Sequence, residues 1–435
     1  MMQASCNHFI DNSFDCRNQR INFSMLVTAV LLLAPALFGD ILSYGVRNAM
    51  LALGCVFTVF YLVRHSDFNL RNIGIGFAWL AFALFALFDR YITSGDLSFA
   101  QVALPIVALA TCALACSTSW VKTALLCVLG MLGIHLLATF LFYIIPELYM
   151  STVKLWFFSE NRNAIGYQSG LTAHYSNNGL LMAMGFLLAC SFVLGSLKGK
   201  RFWWVIVSSL FLLALILTQK RAHLLFAILA FVCVFTLSSF KGKTLKIFLV
   251  VVIALIAASI AAMCLPGIAA SFERLIGTFG SGDIAETVSG RNYLWATAIA
   301  GWQESPYIGN GWGSFVYVWP GGNLSIYAHN EILQLLNDVG IIGLIFFAIL
   351  CFSSLRMAFM NMKIIENLKE KSNKYLRFAA YFSFSFELFI LLYACTTGGL
   401  LQAPIDYIPF FFAVALSIAL RTYILNRDMG VSLSA

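Results

Sequence analysis

Twelve apolar runs dominate this sequence and leave it few ways to fold. They fall at about 23–39, 48–63, 72–88, 99–117, 122–145, 171–197, 202–218, 222–239, 245–264, 332–355, 375–396 and 405–424. Each has the length needed to cross roughly 30 Å of hydrocarbon. Inside a bilayer the backbone finds no water, so a crossing segment must pair its own N–H and C=O groups, and single apolar segments do this as helices. The expectation is an all-α polytopic membrane protein with about 12 transmembrane helices. With 61% hydrophobic and 11% charged residues among 435, and a mean hydropathy of +0.87, the chain lies outside the range of soluble domains.

Basic residues orient the bundle. With the N-terminus in the cytoplasm, only Arg47, Arg90, Lys154, Arg162, Lys220, Arg221, Arg274 and Arg291 of the 27 Lys and Arg fall on the external side, as the positive-inside rule requires. Both termini are therefore expected in the cytoplasm, and the net charge of +8 reflects topology, not a nucleic-acid surface. Residues 1–22 are polar and the first apolar run has no convincing cleavage site, which reads as a retained helix behind a cytoplasmic tail. Most of the eleven cysteines sit in apolar runs, where a thiol packs as a small hydrophobe. Neither a CxxC pair nor a disulfide framework is present.

The plan divides into the tail 1–22, helices one to nine over 23–264, a large external loop over 265–328, and helices ten to twelve with a cytoplasmic tail over 329–435. The cytoplasmic segment 356–374 reads as a helical, solvated hinge. The external loop holds Glu273, Arg274, Asp283, Glu286, Arg291 and Glu304 together with Tyr293, Trp295, Trp302, Tyr307, Trp312, Tyr317, Trp319 and Tyr327. Rings at this density either stack on sugars or form an interfacial belt, and loops on a rigid scaffold are where function concentrates. No internal repeat or Gly-rich phosphate loop is present, so energy must come from a substrate or a gradient.

Three stretches carry polar groups where a membrane protein uses them sparingly. "LILTQKRAHLLFAIL" turns so tightly between helices seven and eight that Lys220 and Arg221 lie at the external membrane surface. There they either snorkel to lipid phosphates or clamp a bound phosphate, for which guanidinium offers a rigid fork of donors. In "VSGRNYLWATAIAGWQESPYIGNGWGSF", Arg291 precedes a short amphipathic segment with Leu294, Trp295, Ala298 and Trp302 at helical spacing. Such an Arg either pairs with a neighbouring carboxylate or meets an anion. In "SIYAHNEILQLLNDVGIIGL", Asn330, Glu331, Gln334, Asn337 and Asp338 cover about 120° of a helix that turns about 100° per residue. That wet face must line a cavity or pack on protein. His329, at its mouth, either satisfies helix-start groups or takes a proton from an alcohol at neutral pH.

In this order and spacing, "LTQKRAHLL", "SGRNYLWATAIAGWQESPYIGNGWGSF" and "YAHNEILQLLNDVGIIGLI" resemble the O-antigen ligase and polymerase superfamily of bacterial membrane glycosyltransferases, in detail over roughly 171–355. The resemblance implies a polyprenyl-pyrophosphate-linked glycan donor, its pyrophosphate held by Arg221 and Arg291, and His329 as base, with no metal and no cofactor. Lys220 adds a second charge, since "QKR" stands where many members have Ser before the Arg. Asn330 is expected to orient His329 or the acceptor, and the wet face is expected to be the wall of a cavity open to lipid where donor pyrophosphate and acceptor hydroxyl meet. Arg162 and His174 are secondary candidates on the same side, although His174 also suits a helix start. The chemistry is self-consistent: pyrophosphate leaves as a stable anion, cations take up the developing charge, and direct displacement inverts the anomeric centre.

The expected function is a metal-independent inverting glycosyltransferase that transfers glycan to an acceptor sugar hydroxyl. The stretch "GYQSGLTAHYSNNGLLMAMG" at 166–185 resembles polymerase-like members, which favours polymerising repeat units of a cell-surface polysaccharide, whether O-antigen, capsule or exopolysaccharide. The alternatives are a ligase acting on lipid A core or a protein, and a flippase or transporter of lipid-linked oligosaccharide. Against the last, Glu387 is the one clear mid-helix carboxylate. Expected partners are the lipid-linked donor, a glycan or lipid A core acceptor and membrane lipids, with functional coupling to a repeat-unit flippase and a chain-length regulator, and no nucleic acid. The location implied is the bacterial inner (cytoplasmic) membrane, with the active site on its external face.

Overall fold

The computed structural model describes residues 23–64, 74–95, 97, 99–156, 167–196, 201–238, 291–368, 374–396 and 399–432. Among them the chain forms α1 (Phe23–Leu37), α2 (Tyr44–Arg64), α3 (Gly74–Ser94), α4 (Phe99–Leu114), α5 (Val121–Ile144), the short α6 (Pro146–Ser151), α7 (Tyr175–Gly195), α8 (Arg201–Leu217), α9 (Arg221–Leu237), α10 (Arg291–Glu304), α11 (Glu331–Asn367), α12 (Lys374–Ala394) and α13 (Pro404–Ser432). Eleven of the twelve apolar runs coincide with helices among the described residues, and the run at 245–264 lies outside them. By length and composition α3, α5, α7, α11, α12 and the Pro404–Arg427 part of α13 are each able to cross a membrane, whereas the other apolar helices are shorter. The fold is an all-α, polytopic membrane bundle.

Helix α7 is apolar all round and buried almost throughout, packing on α5, α8, α9 and α12. Helix α12 also meets α11 and α13, and α13 closes against α1 and α4. One aromatic knot shows how the layers lock. The buried Trp79 of α3 meets Phe347 of α11 and Phe410 and Phe411 of α13 edge-on at 6.0, 5.4 and 5.5 Å, while its indole N–H donates to Ser354 Oγ at 2.9 Å. Burying a large ring with its one donor satisfied stabilises without leaving an orphan polar group.

One expectation changes. The helix beginning at Glu331 continues to Asn367, so 356–367 is helical as read, but it is not a solvated hinge. Ala358, Asn361, Met362 and Ile365 are buried at helical spacing, Asn361 Nδ2 donates to the Ser417 carbonyl at 2.7 Å, and Lys363 Nζ donates to the Leu237 carbonyl. An apolar stripe behind the charges docks this stretch on the bundle. Of the segment 265–328, expected as an external loop, 291–328 is described, and the helical spacing read after Arg291 falls in α10. Leu294, Ala298, Phe315 and Ala328 form a small core of their own, with Trp295, Tyr317, Trp319 and Leu333 against it. A two-stranded hairpin pairs Tyr317–Val318 with Leu324–Ser325.

Candidate functional site

The wet start of α11 is a seam between two pieces of chain. Its helix is broken at Gly340, with φ 64° and ψ −170°, a conformation nearly restricted to glycine. The segment after α10 lies in the break. The N–H groups of Ile341 and Ile342 donate to the carbonyls of Pro306 (3.0 Å) and Tyr307 (3.2 Å), and those of Asn310 and Gly311 donate to the carbonyls of Asn337 (2.8 Å) and Asp338 (2.9 Å). A Cβ on Gly340 would stand 2.4 Å from the Tyr307 carbonyl, so only glycine admits this approach.

Side chains complete the seam. Asp338, fully buried, accepts from Gly313 N–H (2.9 Å), Gln334 Nε2 (3.0 Å), Asn337 Nδ2 (2.9 Å) and Ser314 Oγ (3.3 Å). From the far side, Asp89 accepts from Trp312 N–H at 2.6 Å and Arg90 Nη1 donates to the carbonyls of Trp312 and Gly313. The polar face therefore packs on protein: it is scaffold, not cavity wall.

The first turn of the same helix fixes one residue in place. Asn330 is the N-cap, its Oδ1 accepting from Ile332 and Leu333 N–H at 3.0 and 3.2 Å. Gln334 Oε1 accepts from Ala328 N–H at 2.8 Å, and Glu331 Oε1 accepts from Leu401 N–H at 3.3 Å. Between these grips His329 has φ 51°, a left-handed conformation that costs a non-glycine residue about 1–2 kcal/mol. The other non-glycine residue of positive φ among the described residues is Gln219, φ 55°, in the tight turn between α8 and α9. Both turns open onto one pocket.

That pocket, about 450 Å³, is lined by His329, Arg291, Lys220, His174, Arg47, Asp40, Asp406, Tyr327 and Tyr393, among others. It is assembled from the ends of α1, α12 and the α8–α9 turn and the beginnings of α2, α7, α10 and α13. Arg291 is the first residue of α10, and its Nη1 donates to the Thr396 carbonyl at 2.7 Å. Burial draws its pKa below the ordinary arginine value, opposed by the nearby Tyr393 and Tyr175; a guanidinium keeps its charge through such a shift. Lys220 Nζ sits 4.4 Å from the centre of the Tyr175 ring, a cation–π contact, and that ring lies 4.2 Å from His174 and 4.5 Å from Tyr167. The Tyr327 ring is edge-on to His329 at 6.5 Å. Burial first, and then the carboxylates of Asp406 and Glu331, push the Tyr327 phenol pKa up, so it stays protonated.

His174 caps α7, its Nδ1 accepting from Ser176 N–H at 3.1 Å, so a neutral ring carries its proton on Nε2 and offers a donor. Its helix-start role and its place on the cavity coexist. Asp40 Oδ2 accepts from Ala173 N–H (2.9 Å) and Asn177 Nδ2 (3.1 Å), which ties the α1–α2 turn to the start of α7.

Of the residues singled out in the sequence, His329, Arg291, Lys220 and His174 share this pocket. Arg221 is exposed at the first position of α9 and is not among the side chains lining it. Asn330 has its carboxamide oxygen committed to the cap. Arg162 lies outside the described residues. Sequence reading passed over Arg47, Asp40, Asp406, Tyr327 and Tyr393 as pocket residues. Arg47 carried a usable signal, since it is another basic residue on the side expected to be external; Asp406, at the start of the last apolar run, carried a weaker one. Also passed over was His223, fully buried beside Tyr393 (ring centres 4.6 Å apart), with neither ring nitrogen hydrogen-bonded among the described residues.

Fold and site together define a polytopic all-α membrane protein with a cationic, imidazole-bearing pocket at one end of its bundle. Residues 206–348 match the family model described as O-antigen ligase. The matched segment contains Lys220, Arg221, Arg291 and His329, and it bears out the resemblance to the O-antigen ligase and polymerase superfamily. No curated protein matches the chain. The family match supports a role in glycan transfer in a bacterial membrane.

Proposed function

We propose that this protein is a metal-independent, inverting glycosyltransferase that moves glycan from a polyprenyl-pyrophosphate carrier to a sugar hydroxyl, polymerising repeat units of a surface polysaccharide. The observation that carries the reading is the meeting of His329, Arg291 and Lys220, distant in sequence, on one pocket. In the reaction the acceptor hydroxyl gives its proton to neutral His329 as its oxygen attacks the anomeric carbon. The bond from that carbon to the phosphate oxygen breaks, and its electron pair leaves on polyprenyl pyrophosphate. Arg291 and Lys220 meet that charge, joined by Arg47 on the same pocket. Arg221, exposed beside Lys220, holds the solvent-facing phosphate oxygens. His174, with Nδ1 committed, supplies an N–H donor and not a base.

The acceptor we assign is another repeat unit, on the polymerase-like stretch at 166–185, and the pocket we place on the external face of the inner membrane, with both termini cytoplasmic. Purified protein in nanodiscs with a lipid-linked repeat unit should produce a ladder of products. Glycosylation of added lipid A core with no ladder would make the protein a ligase. Movement of lipid-linked glycan across a vesicle membrane with no new glycosidic bond would overturn the enzyme reading.

A further inference from the structure

A second cavity lies under the first. It measures about 480 Å³ and is lined by Ser24, Thr28 and Leu32 of α1, Ala110 of α4, and Ile408 and Ala415 of α13, with neighbours from α2 and α5. The two cavities share walls. On α1 the polar pocket takes Pro35 and Ala36 and the lower cavity takes residues from Leu33 down to Ser24. On α13 the polar pocket takes Pro404–Asp406 and the lower cavity begins at Ile408. Each step is two residues, or about 3 Å along a helix. The lower cavity then follows α1 from Leu33 to Ser24, about 14 Å at 1.5 Å per residue.

Its lining offers hydrocarbon. The hydroxyls of Thr28, Thr58 and Thr111 donate to the carbonyls of Ser24 (2.8 Å), Gly54 (2.6 Å) and Val107 (2.9 Å), and Trp120 Nε1 donates to the Leu114 carbonyl (2.6 Å). Polar groups spent on their own backbone leave water and sugar little to bind, and apolar cavities of this kind take apolar occupants. On α2, Phe57 and Phe60 of the lining are 40% and 63% exposed, so this wall is open to the surrounding lipid.

We propose that this cavity seats the first isoprene units of the lipid carrier whose pyrophosphate occupies the polar pocket above. The proposal rests on the functional reading above, because a cationic pocket set directly over a dry apolar one fits an amphiphile with an anionic head. A seat for the chain would draw the carrier from the bilayer and hold its anomeric carbon at a fixed depth.

The test uses the full-length protein in phosphatidylcholine nanodiscs and a glycan-free polyprenyl pyrophosphate with a diazirine near the head end of its tail. Label is expected on 24–33 and 107–114, displaced by unlabelled polyprenyl pyrophosphate and not by an equal excess of phosphatidylglycerol. Ala110→Phe, which fills the cavity, is expected to lower labelling about tenfold and to raise KM for the lipid-linked donor with kcat kept. Thr28→Leu serves the same purpose if Ala110→Phe fails to fold. Label elsewhere, or displacement by phosphatidylglycerol as readily as by polyprenyl pyrophosphate, would overturn the proposal, the latter showing a seat for bilayer acyl chains. Because the probe carries no glycan, the expected labelling in a protein that transfers nothing would support the seat while refuting the catalytic reading. Transfer with label elsewhere would refute the seat alone.

Discussion

Gly340→Ala should open the seam that holds His329 in place. The new Cβ would stand 2.4 Å from the Tyr307 carbonyl, and a backbone at φ 64° and ψ −170° costs a non-glycine residue about 1–3 kcal/mol. If the 305–311 segment withdraws to make room, the two donors at Ile341 and Ile342 and the two at Asn310 and Gly311 lose their partners, at about 1 kcal/mol each. Together these amount to roughly 5 kcal/mol of local stability. At about 1.4 kcal/mol per factor of ten, that is an increase in hydrogen exchange of at least a thousandfold. Exchange measured by mass spectrometry on purified protein should show it at 307–314 and 340–342, with α7 and α12 unchanged, and glycan transfer should fall with it. Gly130→Ala is the control, because nothing lies within 4 Å of its Cβ position in α5 and alanine favours a helix by up to about 1 kcal/mol. Wild-type exchange at 307–314 together with wild-type turnover in Gly340→Ala would refute the argument that this seam positions the site.

Further expectations concern the pocket. His329→Ala should lose about 10² to 10⁴ in turnover, the usual worth of a positioned base, while donor affinity by equilibrium binding is kept; wild-type turnover in His329→Ala would refute its role as base. Arg291→Ala should abolish polymer formation and Arg291→Lys restore it only in part, since a point charge does not reproduce a bidentate fork; a normal ladder from Arg291→Ala would remove it from the site. Arg221→Ala should raise KM for the lipid-linked donor more than it lowers kcat, as suits an exposed cation next in sequence to Lys220, and unchanged steady-state kinetics would exclude that role. Transfer in detergent should survive EDTA if side chains supply the positive charge; loss on chelation with recovery on adding Mg²⁺ would contradict this.

What the sequence determined was the bundle and the identity of the groups worth watching. A run such as 375–396 can cross a membrane only as a helix, and α12 follows it closely, from Lys374 to Ala394. Basic residues on the side expected to be external stood out without any structure, and Lys220 and Arg291 do share a pocket. Hidden in the sequence was which way polar residues spend their hydrogen bonds. The face made by Gln334, Asn337 and Asp338 has the same periodicity whether it looks into a cavity or onto another strand of chain. Only the break at Gly340, and the 305–314 segment laid into it, decided for the second. Convergence was hidden for the same reason: Asp40, Arg47 and Asp406 occupy three different helix ends, and periodicity along one helix says nothing about what a neighbouring helix brings to the same depth. A bilayer dictates local structure strongly because unpaired backbone is so costly there, but it is indifferent to which apolar helix packs on which. That choice falls to tertiary packing, and the packing built the pocket.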